Sequence, residues 1–309
     1  MSLQSVYRGR FAPSPTGPLH FGSLIAAMGS YLQAKHQHGT WLIRIDDIDP
    51  AREQKDASKA ILKALEGFGF EWDEDVLYQS SRLKRYQEAI NDLIKQQKAY
   101  PCSCSRKSIL KETGQRNDEG EVIYPGLCRN GPLIKNTDTT DYSIRLRCNN
   151  DAICFNDPIQ GKHTINLEKH IGDFILQRRD QHFSYHLATG VDDAEQNITE
   201  VVRGADLLNC TGSQLYVQHA LSLASPQYCH LPIAVNADGH KLSKQNHAEA
   251  LEVKSAVPLL YQSLKFLGQM PPRYLMGCNQ KDVWNWAKSH WRLDLVPKQS
   301  KLKIDWNND

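Results

Sequence analysis

The sequence predicts an α/β fold whose parallel sheet is interrupted by an insertion and followed by a short helical region. Three observations support this prediction. A strand over residues 7–12 leads through a Pro- and Gly-rich loop into a helix, a second strand over residues 41–46 precedes an amphipathic helix over residues 52–67, and the alternation resumes after residue 174. A chain of 309 residues, 40% of them hydrophobic, can hold one large domain with an insertion or two domains.

The first predicted unit, residues 1–80, contains a loop suited to binding an anion. The loop after the first strand places His20 and several backbone amides at the N-terminus of a helix that begins near Ser23. Backbone N–H groups and the helix dipole favour a phosphate chain at such a position. Taken alone, His20 is equally well explained as a helix-capping or packing histidine.

A group of acids follows the second strand. Asp46, Asp47 and Asp49 lie at its carboxyl end, which is the edge where ligands bind in open α/β sheets. Acids in this position also serve as turn and N-cap residues, and we favour that interpretation for Asp49, which precedes Pro50. Asp46 and Asp47 therefore remain candidates for a ligand site.

Residues 81–173 form the predicted insertion, and its first part is basic. Residues 81–111 hold eight Lys and Arg against two acids, whereas the whole chain carries a formal net charge of only +2. Such a stretch can follow a phosphate backbone, but a solvated basic helix face explains the composition at least as well.

The insertion also contains a candidate metal site. Eight cysteines without an export signal indicate a reducing compartment and argue against a disulfide framework. Cys102, Cys104 and Cys128 are spaced so that three thiolates could bind one tetrahedral zinc. No His lies between them, so the fourth ligand is either Tyr124 or a water. A zinc whose four positions are all filled, three of them by thiolates, has no position open for a substrate, so the metal would be structural.

The resumed αβ pattern, residues 174–247, ends in a pair of lysines. Lys241 and Lys244 lie three residues apart on a segment flanked by Gly, Ser and Asn. Their ammonium groups could close over charge that develops on a triphosphate. Alone, they would be interpreted as solvated charges. The last unit, residues 248–309, is predicted to be helical, with leucines along one face.

Other nucleotide and targeting patterns are missing from the sequence. The only Gly-Lys pair, Gly161 and Lys162, is followed by His163, so there is no Walker A motif, and no G-x-G-x-x-G occurs. Prolines and polar residues interrupt the uncharged stretch over residues 11–34, so we expect no targeting segment and no membrane span. The loop and the lysine pair together predict ATP chemistry without a P-loop.

The two motifs resemble the HIGH and KMSKS motifs of the class I aminoacyl-tRNA synthetases. Residues 10–17, Arg-Phe-Ala-Pro-Ser-Pro-Thr-Gly, resemble the form that the first motif takes in the glutamyl enzymes. The resemblance implies a Rossmann-like catalytic domain that uses ATP with magnesium. It implies catalytic roles for His20, Lys241 and Lys244, and an ATP site formed by His20, Gly22, Ser23, Lys241 and Lys244.

The same resemblance implies an L-glutamate site. Its residues would be Arg10, Phe11, Ala12, Pro13, Ser14, Asp46, Tyr185 and Arg203. A guanidinium suits this role because it can donate two hydrogen bonds to one carboxylate. By burial statistics alone, Tyr185 would be a core residue and Arg203 a surface ion-pair partner. The family has Glu where this chain has Asp46, so the contact with the substrate's amino group is either lost or passes through water.

The length of the chain and its cysteine spacing refine the resemblance. Only 64 residues follow Gln245 in the 309-residue chain, whereas full-length glutamyl-tRNA synthetases continue into a large helical region that reads the anticodon. In both respects the chain resembles the glutamyl-Q synthetases, a group within this family. That resemblance implies activation of L-glutamate by ATP and its transfer to queuosine in the anticodon loop of tRNA(Asp).

The resemblance to this group also completes the metal site and the cellular setting. It implies one structural zinc per chain, bound by Cys102, Cys104, Tyr124 and Cys128, and an insertion that grips the tRNA. We expect a cytoplasmic monomer.

Two other functions fit parts of the sequence. A minimal synthetase could charge the 3′ end of tRNA(Glu), and a catalytically silent paralogue could bind RNA or an amino acid. The expected lack of an anticodon-reading region argues against the first. The presence of His20, Gly22, Lys241 and Lys244 argues against the second.

Overall fold

A computed structural model describes residues 6–117, 120, 122–133, 142–236, 238–241 and 250–304. The described helices are α1 (Phe21–His36), α2 (Ala57–Gly67), α3 (Leu83–Lys95), α4 (Arg106–Thr113), α5 (Leu167–His170), α6 (Tyr185–Glu195), α7 (Leu208–Ala220), α8 (Ala256–Phe266) and α9 (Gln280–His290). The described strands are β1 (Arg8–Phe11), β2 (Thr40–Ile45), β3 (Leu77–Tyr78), β4 (Ala99–Cys102), β5 (Ser143–Leu146), β6 (Ala152–Asp157), β7 (Gly161–Asn166), β8 (Ile175–Gln177), β9 (Glu200–Gly204), β10 (Gln227–Leu231), β11 (Ile233–Val235) and β12 (Lys301–Lys303).

The predicted β-α-β beginning of the chain is confirmed. β1 and β2 pair in parallel, and β3 pairs in parallel with the other edge of β2. Every residue of β2 after Thr40 is buried, as expected for a parallel strand covered on both faces. The helix that follows β2 begins at Ala57 rather than at residue 52. Asp56 has a left-handed backbone (φ 59°), which is incompatible with an earlier helical start.

The second half of the chain adds two more parallel strands beside β1. β9 and β10 pair in parallel with Arg203 opposite His230, and α7 connects them. The backbone N–H of Thr199, just before β9, donates to the carbonyl of Arg8 at 2.9 Å. This bond joins the two groups of strands, so the loops that follow β1, β2 and β9 can surround one space.

The insertion has its own antiparallel sheet. β4 and β8 flank β5 in antiparallel pairing, and β6 and β7 form an antiparallel hairpin. Because β8 belongs to this sheet, the sheet crosses the predicted boundary at residue 173. A small separate core of Tyr100, Cys102, Ile109, Tyr124 and Cys128 lies at its end.

The C-terminal region packs against the N-terminal half. The rings of Tyr31, Phe70 and Trp284 have centroids 4.9 to 5.4 Å apart, and Trp291 donates from Nε1 to Gln33 at 2.9 Å. The region contains α8 and α9, but it is not wholly helical as predicted. Its residues 301–303 form β12, which pairs in parallel with β11, with Leu302 opposite Ala234. Over the described residues, no helix is long and apolar enough to cross a membrane.

Candidate active site

A cavity of about 760 Å³ opens where β1, β2 and β9 end. All the described residues that were predicted to bind ATP or glutamate line it: Arg10, Phe11, Ala12, Pro13, Ser14, His20, Gly22, Ser23, Asp46, Tyr185, Arg203 and Lys241. Lys244, the remaining predicted residue, lies outside the described residues. Residues as distant in the sequence as Arg10 and Lys241 thus meet around one space, although their roles in binding remain predictions.

The loop after β1 is fixed by backbone hydrogen bonds to neighbouring loops. The carbonyl of Pro13 accepts from the N–H of Asp46 at 3.1 Å, and the carbonyl of Pro15 accepts from Gln54 at 2.9 Å. Gly17 has φ 130°, a conformation that side-chain-bearing residues rarely adopt, so the turn requires glycine. These contacts between loops therefore define the path of the loop.

His20 caps α1 and lines the cavity. Its Nδ1 accepts a hydrogen bond from the backbone N–H of Ser23 at 3.3 Å. Since Nδ1 acts as an acceptor, the proton of a neutral His20 sits on Nε2, which can donate to a ligand oxygen. The capping interpretation is therefore correct, and it is compatible with a role in binding phosphate.

Two buried arginines and two buried aspartates form a charge network at one side of the cavity. Asp193 on α6 accepts two hydrogen bonds from Arg10, at 3.1 and 3.2 Å, and one from Arg44 at 2.6 Å. Arg44 also donates from Nε to Asp46 at 2.7 Å. All four side chains are at most 5% exposed, so each charge depends on the others for compensation.

The two aspartates have opposite pKa shifts. Burial raises the pKa of Asp46 to about 6, although Arg44 acts in the opposite direction. Burial would also raise the pKa of Asp193, but the guanidinium groups of Arg10 and Arg44 outweigh it and lower the pKa to about 2. Asp46 Oδ2 is buried and has no hydrogen-bond partner among the described residues. An acceptor of this kind, in a residue that lines the cavity, suits a ligand ammonium group.

Arg203 reaches the cavity from β9 and is already extensively hydrogen-bonded. Its guanidinium donates to His230 Nε2 at 3.0 Å, Gln214 Oε1 at 2.8 Å, the carbonyl of Leu207 at 3.1 Å and Thr211 Oγ1 at 2.8 Å. A guanidinium has five N–H groups, so one remains for a ligand. The two-bond recognition of a carboxylate that the sequence suggests would require Arg203 to release one of its protein contacts.

Lys241 is positioned by an acid that the sequence analysis did not single out. Its Nζ lies 2.5 Å from Asp206 Oδ2, and both residues line the cavity. Both side chains are partly exposed, at 40% and 33%, so this ion pair can exchange for a ligand phosphate at little cost.

The cysteine cluster lies in the small core of the insertion. The Sγ atoms of Cys102, Cys104 and Cys128 are within 4.8 Å of one another. The hydroxyl oxygen of Tyr124 is 3.2 Å from Cys102 Sγ and 3.7 Å from Cys104 Sγ, and it accepts a hydrogen bond from the Cys128 N–H at 2.9 Å. Tyr124 thus lies beside the three thiols, and its role as a ligand remains a prediction.

The basic stretch at residues 81–111 is partly engaged in internal ion pairs. Arg82 binds Asp192 at 2.6 Å, and both Arg82 and Arg85 contact Glu195 on α6. Lys98 donates to the carbonyl of Ala220 at 2.6 Å. The exposed basic residues of the stretch are Lys84, Lys95, Arg106, Lys107 and Lys111.

Sequence reasoning missed Arg44, Asp193 and His230, which all support the predicted residues. The sequence alone contained a signal for Arg44 and for Asp193. Arg44 is a charged residue within an otherwise apolar strand, and Asp193 follows an apolar run in α6. A charge within a buried element requires a partner, so either residue could have been identified as part of a buried pair.

Comparisons with known proteins agree with this geometry. Residues 6–261 match the family model of the tRNA synthetases class I (E and Q), catalytic domain. The structure is similar to a glutamate-tRNA synthetase from Elizabethkingia anophelis (TM-score 0.78, 23% identity, 98% of this chain and 68% of that one) and to a glutamate tRNA ligase from Elizabethkingia meningosepticum (TM-score 0.77, 24% identity, 97% and 67%). At this level of identity the likeness shows the fold.

The family match makes the chain a class I tRNA synthetase, and therefore a ligase. Curated relatives show to which group of these synthetases the chain belongs. The chain is 48% identical to the glutamyl-Q tRNA(Asp) synthetase of Dechloromonas aromatica over 98% of this chain and 99% of that protein, and 46% identical to that of Pseudomonas fluorescens over 96% of each. The chain belongs to the glutamyl-Q tRNA(Asp) synthetase family.

Proposed function

We propose that this protein activates L-glutamate with ATP and transfers the glutamyl group to queuosine in the anticodon loop of tRNA(Asp). In the first step a carboxylate oxygen of glutamate attacks the α-phosphorus of ATP, and pyrophosphate leaves. In the second, a hydroxyl of the queuosine cis-diol attacks the glutamyl carbonyl carbon, loses its proton, and AMP leaves. The observation that carries the proposal is the assembly of the predicted residues around one cavity in a chain of this family.

In this proposal the triphosphate lies against the N-terminus of α1. His20 Nε2 and the backbone N–H of Gly22 would donate hydrogen bonds to it, and Ser23, whose N–H orients His20, would complete this end of the site, with magnesium accompanying ATP. Lys241 and Lys244 would offset the negative charge that grows on the leaving pyrophosphate. Lys241 is the one of the two within the described residues, and its place on the cavity wall supports this role.

The glutamate would lie between Asp46 and Arg203. The unpartnered Oδ2 of Asp46 suits the ammonium group, directly or through water. The free N–H of Arg203, together with Tyr185, suits a carboxylate. Arg10, fixed by Asp193, and the backbone of residues 11–14 would form the adjoining wall.

The cysteine cluster fits a structural zinc. A tetrahedral site with Zn–S bonds of about 2.3 Å has S···S edges of about 3.8 Å, and Cys104 Sγ and Cys128 Sγ are 3.5 Å apart. We propose that Cys102, Cys104 and Cys128 hold one zinc per chain, with Tyr124 as the fourth ligand and water as the alternative. The metal would stabilise the small core of the insertion and take no part in the chemistry.

We further propose a separate role for each of the four segments of the chain. Residues 1–80 and 174–247 would form the two halves of the catalytic domain, residues 81–173 the RNA-binding insertion, and residues 248–309 a supporting region. The exposed Lys84, Arg106, Lys107 and Lys111 are available for phosphate contacts. A cytoplasmic monomer, acting where tRNA is found, completes the proposal.

An experiment with labelled glutamate tests which RNA, and which part of that RNA, receives the glutamyl group. The protein is incubated with ATP, labelled glutamate and one of three RNAs: tRNA(Asp) with queuosine, tRNA(Asp) without it, or tRNA(Glu). Label should appear only on the first RNA, within an anticodon-loop fragment after nuclease digestion. Comparable labelling of the 3′ end of tRNA(Glu) would replace the proposal by the minimal synthetase, which is the second candidate. Pyrophosphate exchange without transfer of label to any of the three RNAs would support the proposed activation step and contradict queuosine as the acceptor.

A further inference from the structure

A buried histidine connects the hairpin of the insertion to the cavity. His230 on β10 is fully buried and lies between Asp157, at the end of β6, and Arg203 on β9. Its Nδ1 is 2.7 Å from Asp157 Oδ2, and its Nε2 accepts from Arg203 Nε at 3.0 Å. Parallel pairing places His230 directly opposite Arg203, so the two side chains meet across adjacent strands.

The environment of Asp157 determines which nitrogen of His230 carries the proton. The backbone N–H groups of His230, Ile159 and Gln160 donate to the carboxylate at 2.8 to 2.9 Å. A carboxylate held by donors in this way stays ionised and accepts a further hydrogen bond, so Nδ1 carries the proton. Nε2 then presents a lone pair to Arg203 Nε, at 3.0 Å, and Thr211 Oγ1 lies 3.1 Å from the same nitrogen. Burial lowers the pKa of His230 below its ordinary value, although Asp157 opposes this, which favours the neutral ring.

The Nε2 lone pair of His230 completes the set of hydrogen bonds that hold Arg203. Its Nη1 and Nη2 contacts with Gln214, Leu207 and Thr211 come from one side of the fold, α7 and the turn before it. Nε2 of His230 is the partner of its Nε. Without that acceptor the Nε–H would be left buried and unpaired, and a rotation of the guanidinium would be the simplest way to recover a partner.

We propose that His230, oriented by Asp157, is a positioning residue that holds the Arg203 guanidinium toward the cavity and so determines the affinity for the carboxylate of an acidic amino acid. His230 itself does not line the cavity and touches no substrate in this proposal. The inference rests on the proposed role of Arg203 in glutamate binding. It assigns to the hairpin β6–β7, through Asp157, a part in substrate recognition.

Two substitutions of His230 separate positioning from packing. His230→Leu fills a similar volume but removes the acceptor, whereas His230→Gln keeps an amide oxygen near the place of Nε2. Tyr228→Phe is the matched control on the same strand. Phe keeps the ring and removes only a hydroxyl that has no hydrogen-bond partner among the described residues. Circular dichroism and the melting temperature of each variant show whether it folds.

The measurement is glutamate-dependent exchange of pyrophosphate into ATP. We expect His230→Leu to raise the KM for glutamate roughly 10- to 100-fold, with kcat and the KM for ATP within about twofold of the wild type. His230→Gln should recover most of the glutamate affinity, and Tyr228→Phe should leave all three constants unchanged. If His230→Leu fails to fold, His230→Gln still tests the proposal, since a loss of glutamate affinity in a folded His230→Gln, which retains the acceptor, would contradict it.

Arg203→Ala distinguishes failure of this inference from failure of the proposed function. A raised KM for glutamate in Arg203→Ala, together with a wild-type KM in folded His230→Leu, would overturn the positioning role alone. An unchanged KM in Arg203→Ala would refute the proposed glutamate site and the positioning role with it. Equal losses of kcat and of affinity for both substrates in the two His230 variants would assign His230 a purely structural role.

Discussion

Asp46 and Asp193 share one arginine, Arg44, and we predict that removing their charges has very different effects on stability. Asp193→Asn should destabilise the protein strongly, whereas Asp46→Asn should leave it within about 1 kcal/mol of the wild type or make it more stable at neutral pH. Both substitutions are isosteric and both aspartates lie within 2.7 Å of Arg44. The contrast therefore depends on electrostatics and not on packing.

The magnitudes follow from the pKa shifts. Lowering the pKa of Asp193 from 3.8 to about 2 corresponds to about 2 kcal/mol in favour of the folded state at neutral pH. Asn at this position also leaves Arg10 without a compensating charge, so we expect a total loss of about 3–5 kcal/mol. Raising the pKa of Asp46 from 3.8 to about 6 means that keeping its charge buried costs about 3 kcal/mol at pH 7. Asn removes that cost and still offers Arg44 an oxygen.

The pH dependence provides a second test with a defined sign. A carboxyl group whose pKa is raised on folding contributes stability below its unfolded pKa, near 3.8, and loses it as the pH rises through about 6. Relative to Asp46→Asn, the wild type should therefore lose about 3 kcal/mol between about pH 4 and pH 7. The Asp193 contribution is present above pH 3.8 and is lost only as the pH falls toward 2, so it stays nearly constant over this range.

Urea unfolding followed by tryptophan fluorescence, at pH 4.5 and pH 7.5, measures both effects. Equal destabilisation by the two substitutions at neutral pH would refute the reasoning. The reasoning would also be refuted if the stability difference between the wild type and Asp46→Asn did not change with pH. A constant difference would mean that the pKa of Asp46 is not raised on folding.

The remaining predictions concern the lysine loop and the metal. Lys241→Ala and Lys244→Ala should each slow glutamate-dependent pyrophosphate exchange about a hundredfold, as expected for the loss of one preorganised charge, with the KM for glutamate changed much less; wild-type exchange in both would exclude the lysines from the mechanism. The same exchange should proceed without tRNA, and a strict tRNA requirement would contradict this. Purified protein should contain about one zinc per chain, and elemental analysis should find it lost from Cys104→Ser. Tyr124→Phe should bind zinc more weakly, whereas unchanged affinity would assign the fourth ligand to water.

The sequence predicted best what depends on neighbouring residues. The strand at β1, its turn and the helix α1 were recognisable because the apolar run, the Pro- and Gly-rich loop and the following helical pattern are contiguous. The same locality identified the cysteine spacing, since the chain itself returns Cys128 to Cys102 and Cys104. Tyr185 and Arg203 required the resemblance to a family, because nothing in their neighbourhood distinguishes them from core and surface residues.

What the sequence could not predict depends on long-range pairing. Arg44 and Asp193 are 149 residues apart, and Asp157 and His230 are 73 apart. Each is unremarkable until the sheet brings its partner within hydrogen-bond distance. The strand at residues 301–303 was missed for a related reason, since a three-residue strand gives too short a pattern and its partner β11 lies about 70 positions earlier.

The charge balance of the cavity explains why the supporting residues are needed. The buried network of Arg10, Arg44, Asp46 and Asp193 is neutral as a whole when both aspartates are ionised, so it can fix the geometry of the wall without attracting an anion. A glutamate carries two carboxylates and one ammonium group, and its net negative charge must be met by cations outside that network. In the proposed function Arg203 would meet the charge of glutamate and Lys241 that of the triphosphate, and each contacts a neighbour: His230 for the first and Asp206 for the second. The neutral ring of His230 adds no charge of its own and leaves the whole charge of Arg203 for the ligand. The carboxylate of Asp206 compensates Lys241, and in the proposed function Lys241 would exchange this carboxylate for the triphosphate. On this reasoning the proposed amino-acid part of the cavity would bind through one N–H of an Arg203 that its neighbours already hold, whereas the proposed ATP part would exchange one anion for another on binding.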